Sequence, residues 1–267
     1  MLSKVRVEPG RSADLTTRST ADRLGLKGKA DAATVLAGLH ARLFELQARL
    51  WAESRRSVLL VLQGMDAGGK DGTIRSVFSG VNPQGVRVVN FKAPAGDELA
   101  HDYLWRIHGH CPRDGEIAIF NRSHYEDVVA VRVHELVPAK RWRRRYRHLR
   151  EFERELTDEG TTIVKVFLHI SHDEQRQRLQ ARLAVPEKNW KFRAADLEDR
   201  KRWDEFQRAY DDAISETSTA WAPWFVVPAD RKWVRNVVVS RLLVATLEAM
   251  DPRYPAPEPG LEGLQID

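Results

Sequence analysis

Gly64 and the pair Gly69-Lys70 stand at the spacing G-x-x-x-x-G-K, directly after the apolar run Val58 to Leu62. That spacing marks a loop whose backbone N–H groups close on a phosphate, with a lysine adding a point charge and the next helix presenting its positive end. Alone it arises by chance; between a buried strand and a helix start it is a specific signal. Two acids depart from the ordinary pattern. Asp66 lies inside the loop, and Asp71 takes the place where a Ser or Thr hydroxyl normally meets Mg²⁺. A phosphate loop with its own carboxylates implies a metal held differently and an unusual phosphate donor. A second group follows at Asn121-Arg122-Ser123-His124-Tyr125-Glu126-Asp127. Asn121 is neutral where a metal-facing acid is expected, so Asp66 and Asp71 compensate, with Glu126 or Asp127 near the acceptor. Two or three acids suffice, because Mg²⁺ keeps waters and phosphate oxygens. Arg122 can fork onto a phosphate. Arg176, Arg178, Arg182, Lys188, Lys191 and Arg193 flank Pro186 and read as a lid closing over phosphates, against the plainer reading of a solvated face with Glu174 and Arg178 paired.

These groups need a scaffold, and the pattern supplies one. Val35, Leu36, Leu39, Leu43, Leu46 and Leu50 recur at helical spacing and predict one amphipathic helix over 30–54. Strands are expected at 58–62, 86–91, 116–120, 162–168 and 224–227, and helices at 70–80, 99–108, 138–158, 172–183, 197–215 and 231–249. Residues 185–195 are expected to be a loop, and 81–85 holds a turn at Asn82-Pro83-Gln84-Gly85. Strands alternating with helices predict an α/β fold, a three-layer α/β/α sandwich on a five-stranded parallel sheet, with one domain over 1–267. Within it, 1–20 is an arm packed on the body or on a partner, 172–215 the helical lid region, and 252–267 a mobile tail. Ligands of such sheets lie beyond the carboxyl ends of the strands, so 64–70, 91–98 and 121–127 should converge on one cleft.

The 267 residues carry a net charge of +5, which favours a polyanionic partner, and a single cysteine, Cys111, which fits a reducing cytoplasm. No apolar run reaches membrane-spanning length. The basic run 140–150 interleaves Trp142 and Tyr146 with arginines, but acids follow at once and no nucleic-acid module is recognised, so an exposed charged helix is expected. His108, His110 and Cys111 lack a second ligand pair for zinc. Trp221 to Val227 reads as core, and Pro228-Ala229-Asp230 lies where a loop could touch a nucleotide.

GMDAGGKDGT at 64–73, VNPQGV at 81–86, HDYLWRIH at 101–108, FNRSHYEDV at 120–128 and EKNWKF at 187–192 resemble the polyphosphate kinase 2 family, over roughly residues 15–250. The resemblance implies the P-loop kinase fold and phosphoryl transfer between inorganic polyphosphate and nucleotides with Mg²⁺ or Mn²⁺. It implies that Lys70 and its loop cradle phosphate, that Asp66 meets the metal and orients the acceptor phosphate, and that Arg122 and Arg182 clamp phosphates. With the loop reading, it assigns Gly64, Met65, Ala67, Gly68, Gly69, Asp71, Gly72, Thr73, Asn121, Tyr125, Glu126, Lys188 and Lys191 to ligand binding, and Asp66 and Asp127 to the metal. Asn121 departs from the aspartate of the nucleoside-diphosphate subgroup and, with Glu126, looks like the subgroup accepting both AMP and ADP. Adenine nucleotides are the implied acceptors, with guanine left open. The helix at 30–54 and the arm are expected either to face a homodimer or homotetramer partner or to pack within the chain. An ATP-dependent kinase on the same fold is the rival reading, and Asp71 in the Ser/Thr position argues against it.

Overall fold

The computed structural model describes residues 1–261 together with 264 and 265. The chain begins with a short helix α1 (Leu2–Val5) and a two-residue strand β1 (Arg6–Val7), then runs irregularly to the long helix α2 (Lys29–Glu53). Next come β2 (Ser57–Gln63), α3 (Lys70–Val77), β3 (Val86–Asn90), α4 (Trp105–His108), β4 (Ile117–Asn121) and α5 (Ala130–Val133). The second half contains α6 (Ala139–Asp158), β5 (Thr161–His169), α7 (His172–Ala184), α8 (Ala194–Lys201), α9 (Trp203–Thr217), β6 (Trp224–Pro228) and α10 (Lys232–Met250).

The strands form one sheet in the order β1-β6-β5-β2-β4-β3. β2 is central and parallel to both β4 and β5, with Leu60 opposite Ile119 on one side and Val164 on the other. It is buried at every position. That is why its sequence is an unbroken apolar run: both faces of a parallel sheet are covered by helices. α2 and α10 pack together on one face, with Leu43, Leu46 and Leu50 of α2 buried, so the long helix is answered within the chain. α6 turns Trp142, Tyr146, Leu149, Phe152 and Leu156 inward at intervals of three and four, and most of its arginines face water. No helix among the described residues is long and apolar enough to cross a membrane.

Five parallel strands stand where they were expected. The sixth, β1, is antiparallel and comes from the arm: Arg6 and Val7 pair with Phe225 and Trp224. The arm therefore packs on the body, burying Val5, Val7, Ala13 and Leu15. A two-residue strand leaves no alternation to read. The helix expected over 99–108 is a 3-10 turn at Gly96–Ala100 and the four-residue α4, because His101 is extended and the Asp102 side chain accepts from Leu104 N–H. The helix expected over 197–215 breaks at Arg202 into α8 and α9. Residues 186–191, read as loop, wind into a 3-10 turn (Pro186–Lys191). Of the expected tail, 252–261 carries no helix or strand, and residues 262, 263, 266 and 267 lie outside the described residues.

Candidate active site

The loop between β2 and α3 leaves the sheet where strand order turns from β5 to β4, the position at which open α/β sheets bind ligands. Gly64 makes the exit. Its φ is +154°, and a Cβ there would stand 2.9 Å from the carbonyl oxygen of Leu168 on β5. Gly69 ends the loop at φ +101° and opens α3. The loop is braced from outside. Arg178 Nη1 donates to the carbonyls of Ala67 (3.1 Å) and Gly68 (2.9 Å), and its Nη2 to that of Ala229 (2.6 Å). Gln175 Nε2 donates to the carbonyl of Asp66 at 3.0 Å.

Lys70 Nζ folds over the loop and donates to the carbonyls of Gly64 (2.7 Å) and Met65 (3.4 Å). Burial pushes its pKa down to about 8, and Arg122 acts in the same direction, against Asp66, Glu126 and Asp71. Arg122, in a left-handed backbone conformation at φ 62°, reaches Asp66 Oδ1 at 2.6 Å. Burial works against the Arg122 charge, but Glu126 and Asp66 outweigh it and hold the guanidinium protonated. Gln63, with its amide oriented by its neighbours, donates to Glu126 Oε1 at 3.0 Å and accepts from Ser123. Gly64, Met65, Asp66, Arg122, Glu126 and Asp127 border a cavity of about 240 Å³, lined further by Phe91, Pro94, Arg106, Val131 and Leu136. A larger cavity, about 790 Å³, lies between the arm and α9 and holds none of the loop residues.

Asn121, at the end of β4, donates to Asp71 Oδ1 (2.9 Å) and Asn90 Oδ1 (2.6 Å). Lys191 of the 3-10 turn crosses the loop to Asp71 Oδ2 at 3.0 Å. Burial alone would raise the Asp71 pKa, but the Lys191 and Asn121 hydrogen bonds lower it overall. Asp71 therefore links β4, the phosphate loop and the turn above it.

Four assigned residues stand away from the loop and the cavity, and a fifth, Asp127, borders the cavity but is engaged by an arginine. Tyr125 is 1% exposed, with its hydroxyl donating to Glu153 Oε1 at 2.7 Å, so it belongs to the core beneath the site. Thr73 is buried and donates back to the Gly69 carbonyl at 3.1 Å within α3. Arg182 pairs with Asp196 (3.3 Å) and donates to the Lys191 carbonyl (3.1 Å), bracing the turn instead of reaching the loop. Lys188 is exposed on that turn. Asp127 is given to Arg145, whose Nη1 donates to Asp127 Oδ1 at 3.2 Å, and burial raises the Asp127 pKa to about 6 in spite of Arg145 and Arg106. Arg145 would therefore compete with a metal for this carboxylate. Sequence reasoning also missed Gln175 and the buttressing role of Arg178. The Glu174–Arg178 spacing that suggested a surface pair is real, at 2.7 Å, but the remaining donors of Arg178 turn inward.

A glycine-cornered loop on a parallel sheet, a lysine folded over it and an arginine–carboxylate pair bordering a cavity define a P-loop phosphotransferase. The polyphosphate kinase 2 family model matches residues 27–255. This chain belongs to that family. It is 58% identical to the AMP/ADP-polyphosphate phosphotransferase of Meiothermus ruber across the whole of both chains. It is 49% identical to the ADP-polyphosphate phosphotransferase of Rhodopseudomonas palustris, over 82% of this chain and 80% of that one. The crystal structure of polyphosphate kinase 2 from Arthrobacter aurescens TC1 superposes with a TM-score of 0.91 at 43% identity, covering 96% of this chain and 91% of that one.

Proposed function

We propose that this chain transfers the terminal phosphoryl group of inorganic polyphosphate to AMP and to ADP, giving ADP and ATP. The observation that carries the reading is the Asp66–Arg122 pair joining the phosphate loop to a cavity large enough for the phosphate end of a nucleotide. The full-length likeness to the Meiothermus ruber protein supports AMP and ADP together as acceptors.

The donor's last phosphates lie on the loop amides and Lys70, and the acceptor phosphate enters the cavity beside Arg122. An oxygen of the acceptor phosphate attacks the terminal phosphorus in line. The P–O bond to the next phosphate of the polymer breaks, and the chain leaves one unit shorter. Phosphate oxygens are already largely deprotonated at neutral pH, so no strong base is needed and the chain's work is positioning and charge neutralisation. Arg122 forks onto the acceptor phosphate while Asp66 fixes the arginine's direction. Arg182, Lys188 and Lys191 ride on the segment over the loop, 182–201, which we take as the moving part of the lid. α9 is excluded from it because Phe206, Ala209, Tyr210 and Ala213 are locked in the core.

The donor set suits a divalent cation held mainly by phosphate oxygens. Among the described residues no group of three or more His, Cys, Asp or Glu could hold a metal by themselves, and Asp66 and Glu126 are the carboxylates beside Arg122 on the cavity that would add to the phosphate oxygens. Mg²⁺ or Mn²⁺ bound there would neutralise charge shared between donor and acceptor phosphates.

Purified protein incubated with Mg²⁺, long-chain polyphosphate and AMP or ADP, without ATP, should yield ADP and ATP from AMP. Product from ADP alone would overturn the dual-acceptor reading, and transfer from ATP but not polyphosphate would overturn the donor. The Lys70 ammonium adds a pH signature. Its charge is present below a pKa of about 8 and lost above it. The kcat/KM for polyphosphate, which reports the free enzyme, should fall as pH rises through about 8. Bound phosphate raises the lysine's pKa, so kcat should hold to higher pH.

A further inference from the structure

Arg235, in the first turns of α10, is 3% exposed and has no carboxylate partner among the described residues. Its Nε and Nη2 donate to Asn236 Oδ1 on the same helix, at 3.1 and 2.8 Å. Its Nη1 points the other way and occupies the place a Cβ on Gly69 would need. Arg178 Nη1 approaches the same place, at 3.3 Å from it. Two guanidinium groups thus meet where a Gly69 side chain would stand. The charge that acts most on Arg235 is the like charge of Arg178, and burial with that repulsion lowers the Arg235 pKa to about 10. A buried cation without a counter-ion is a cost that a methionine of similar volume would avoid. Packing alone does not explain an arginine here. An anion resting on the amides of the loop would.

We propose that Arg235 is a positioning residue for the phosphate donor: a fixed charge behind Gly69 that, with Arg178, strengthens the grip of the loop on the polyphosphate chain through the loop backbone. The inference rests on polyphosphate being the donor. The side of the loop identifies which substrate is affected. Arg235 belongs to the α3–α10 side, where Asn236 also donates to Ser76 of α3 at 2.8 Å, and it does not border the cavity assigned to the acceptor. Across a water-poor loop a charge at this range acts with little screening and needs no reorganisation when the anion arrives. It also explains a second constraint on Gly69 beyond its backbone angle, since any side chain there would displace the guanidinium.

The test compares R235M and R235K with the unaltered protein in steady-state transfer, varying polyphosphate at saturating ADP and then ADP at saturating polyphosphate. R235M should raise KM for polyphosphate about tenfold, the scale of one partly buried charge interaction, with KM for ADP and kcat changed less than about twofold. R235K, which keeps the charge, should recover most of the loss. Tripolyphosphate alone should raise the melting temperature of the unaltered protein and of R235K, and raise that of R235M much less. Unchanged KM for polyphosphate in R235M, or equal rises in both KM values, overturns the inference. If R235M does not fold, R235K decides: KM for polyphosphate within about threefold of the original supports the charge role, and a tenfold rise overturns it. Failure of the unaltered protein to use polyphosphate at all would instead strike the functional reading on which the inference depends.

Discussion

Replacing Lys70 with alanine should lower turnover by about two to three orders of magnitude, the scale of one lost charge-stabilising donor in a preorganised site. The expectation follows from where the ammonium is held. Among the described residues its hydrogen bonds run only to the carbonyls of Gly64 and Met65. Incoming phosphate oxygens therefore compete with two neutral acceptors and not with a fixed ion pair. The loss should appear in kcat as well as in KM, because the charge on the transferred group spreads in the transition state. The loop keeps its Arg178 and Gln175 braces in this variant, so urea unfolding should stay close to that of the original protein. Near-normal turnover with an intact fold would remove Lys70 from the mechanism.

Lys165→Met should be the most destabilising single change near the site, costing about 3–5 kcal/mol in urea unfolding, because it strands a buried carboxylate. Lys165 and Glu153 are both wholly buried and 2.6 Å apart. Lys165 Nζ also donates to Tyr125 Oη (2.9 Å) and the Thr217 carbonyl (2.7 Å), and the Tyr125 hydroxyl reaches Glu153 at 2.7 Å. Burial raises the Glu153 pKa, but Lys165 and His124 outweigh it and hold the carboxylate charged. The double change K165M with E153Q removes both charges and should recover much of the loss. If the single and double variants were equally unstable, the pair would matter as packing volume and not as a charge pair. Tyr125 and His124 belong to the segment that carries Arg122 and Glu126. The network therefore anchors the acceptor side of the site to α6, β5 and the end of α9.

The central fold was legible because its signals are long or chemically unusual. β2 reads as seven buried residues, α2 as a repeated leucine spacing, and the phosphate loop as glycines no other residue could replace. What escaped depended on contacts between segments far apart in the chain. β1 is two residues long and exists only because Trp224 and Phe225 offer a partner edge. The break at Arg202 lies inside a continuous helical pattern. Tyr125 was placed at the ligand because its neighbours Arg122 and Glu126 are there. A 3-10 turn rotates successive residues by about 120°, so within the turn His124–Asp127 some side chains face the cavity and others the core. Arg178 was read as part of a basic lid and not as a brace beneath the loop, and Arg235 carried no sequence signal of its own, since the neighbours a helical arginine meets cannot be read from its position in the chain.

The pairing of Arg6 and Val7 with Phe225 and Trp224 also bears on how the protein is made. A ribosome delivers residues 6 and 7 more than 200 positions before their partners, at about 5–20 residues per second. The outer edge of β6 therefore has no partner strand until the arm returns, and the arm has no edge to join until β6 has emerged and docked on β5. Closing so long a loop costs entropy before any contact repays it. The arm is thus fixed late, only once β6 has docked on the sheet. It then covers a sheet edge that would otherwise invite another nascent chain to pair with it.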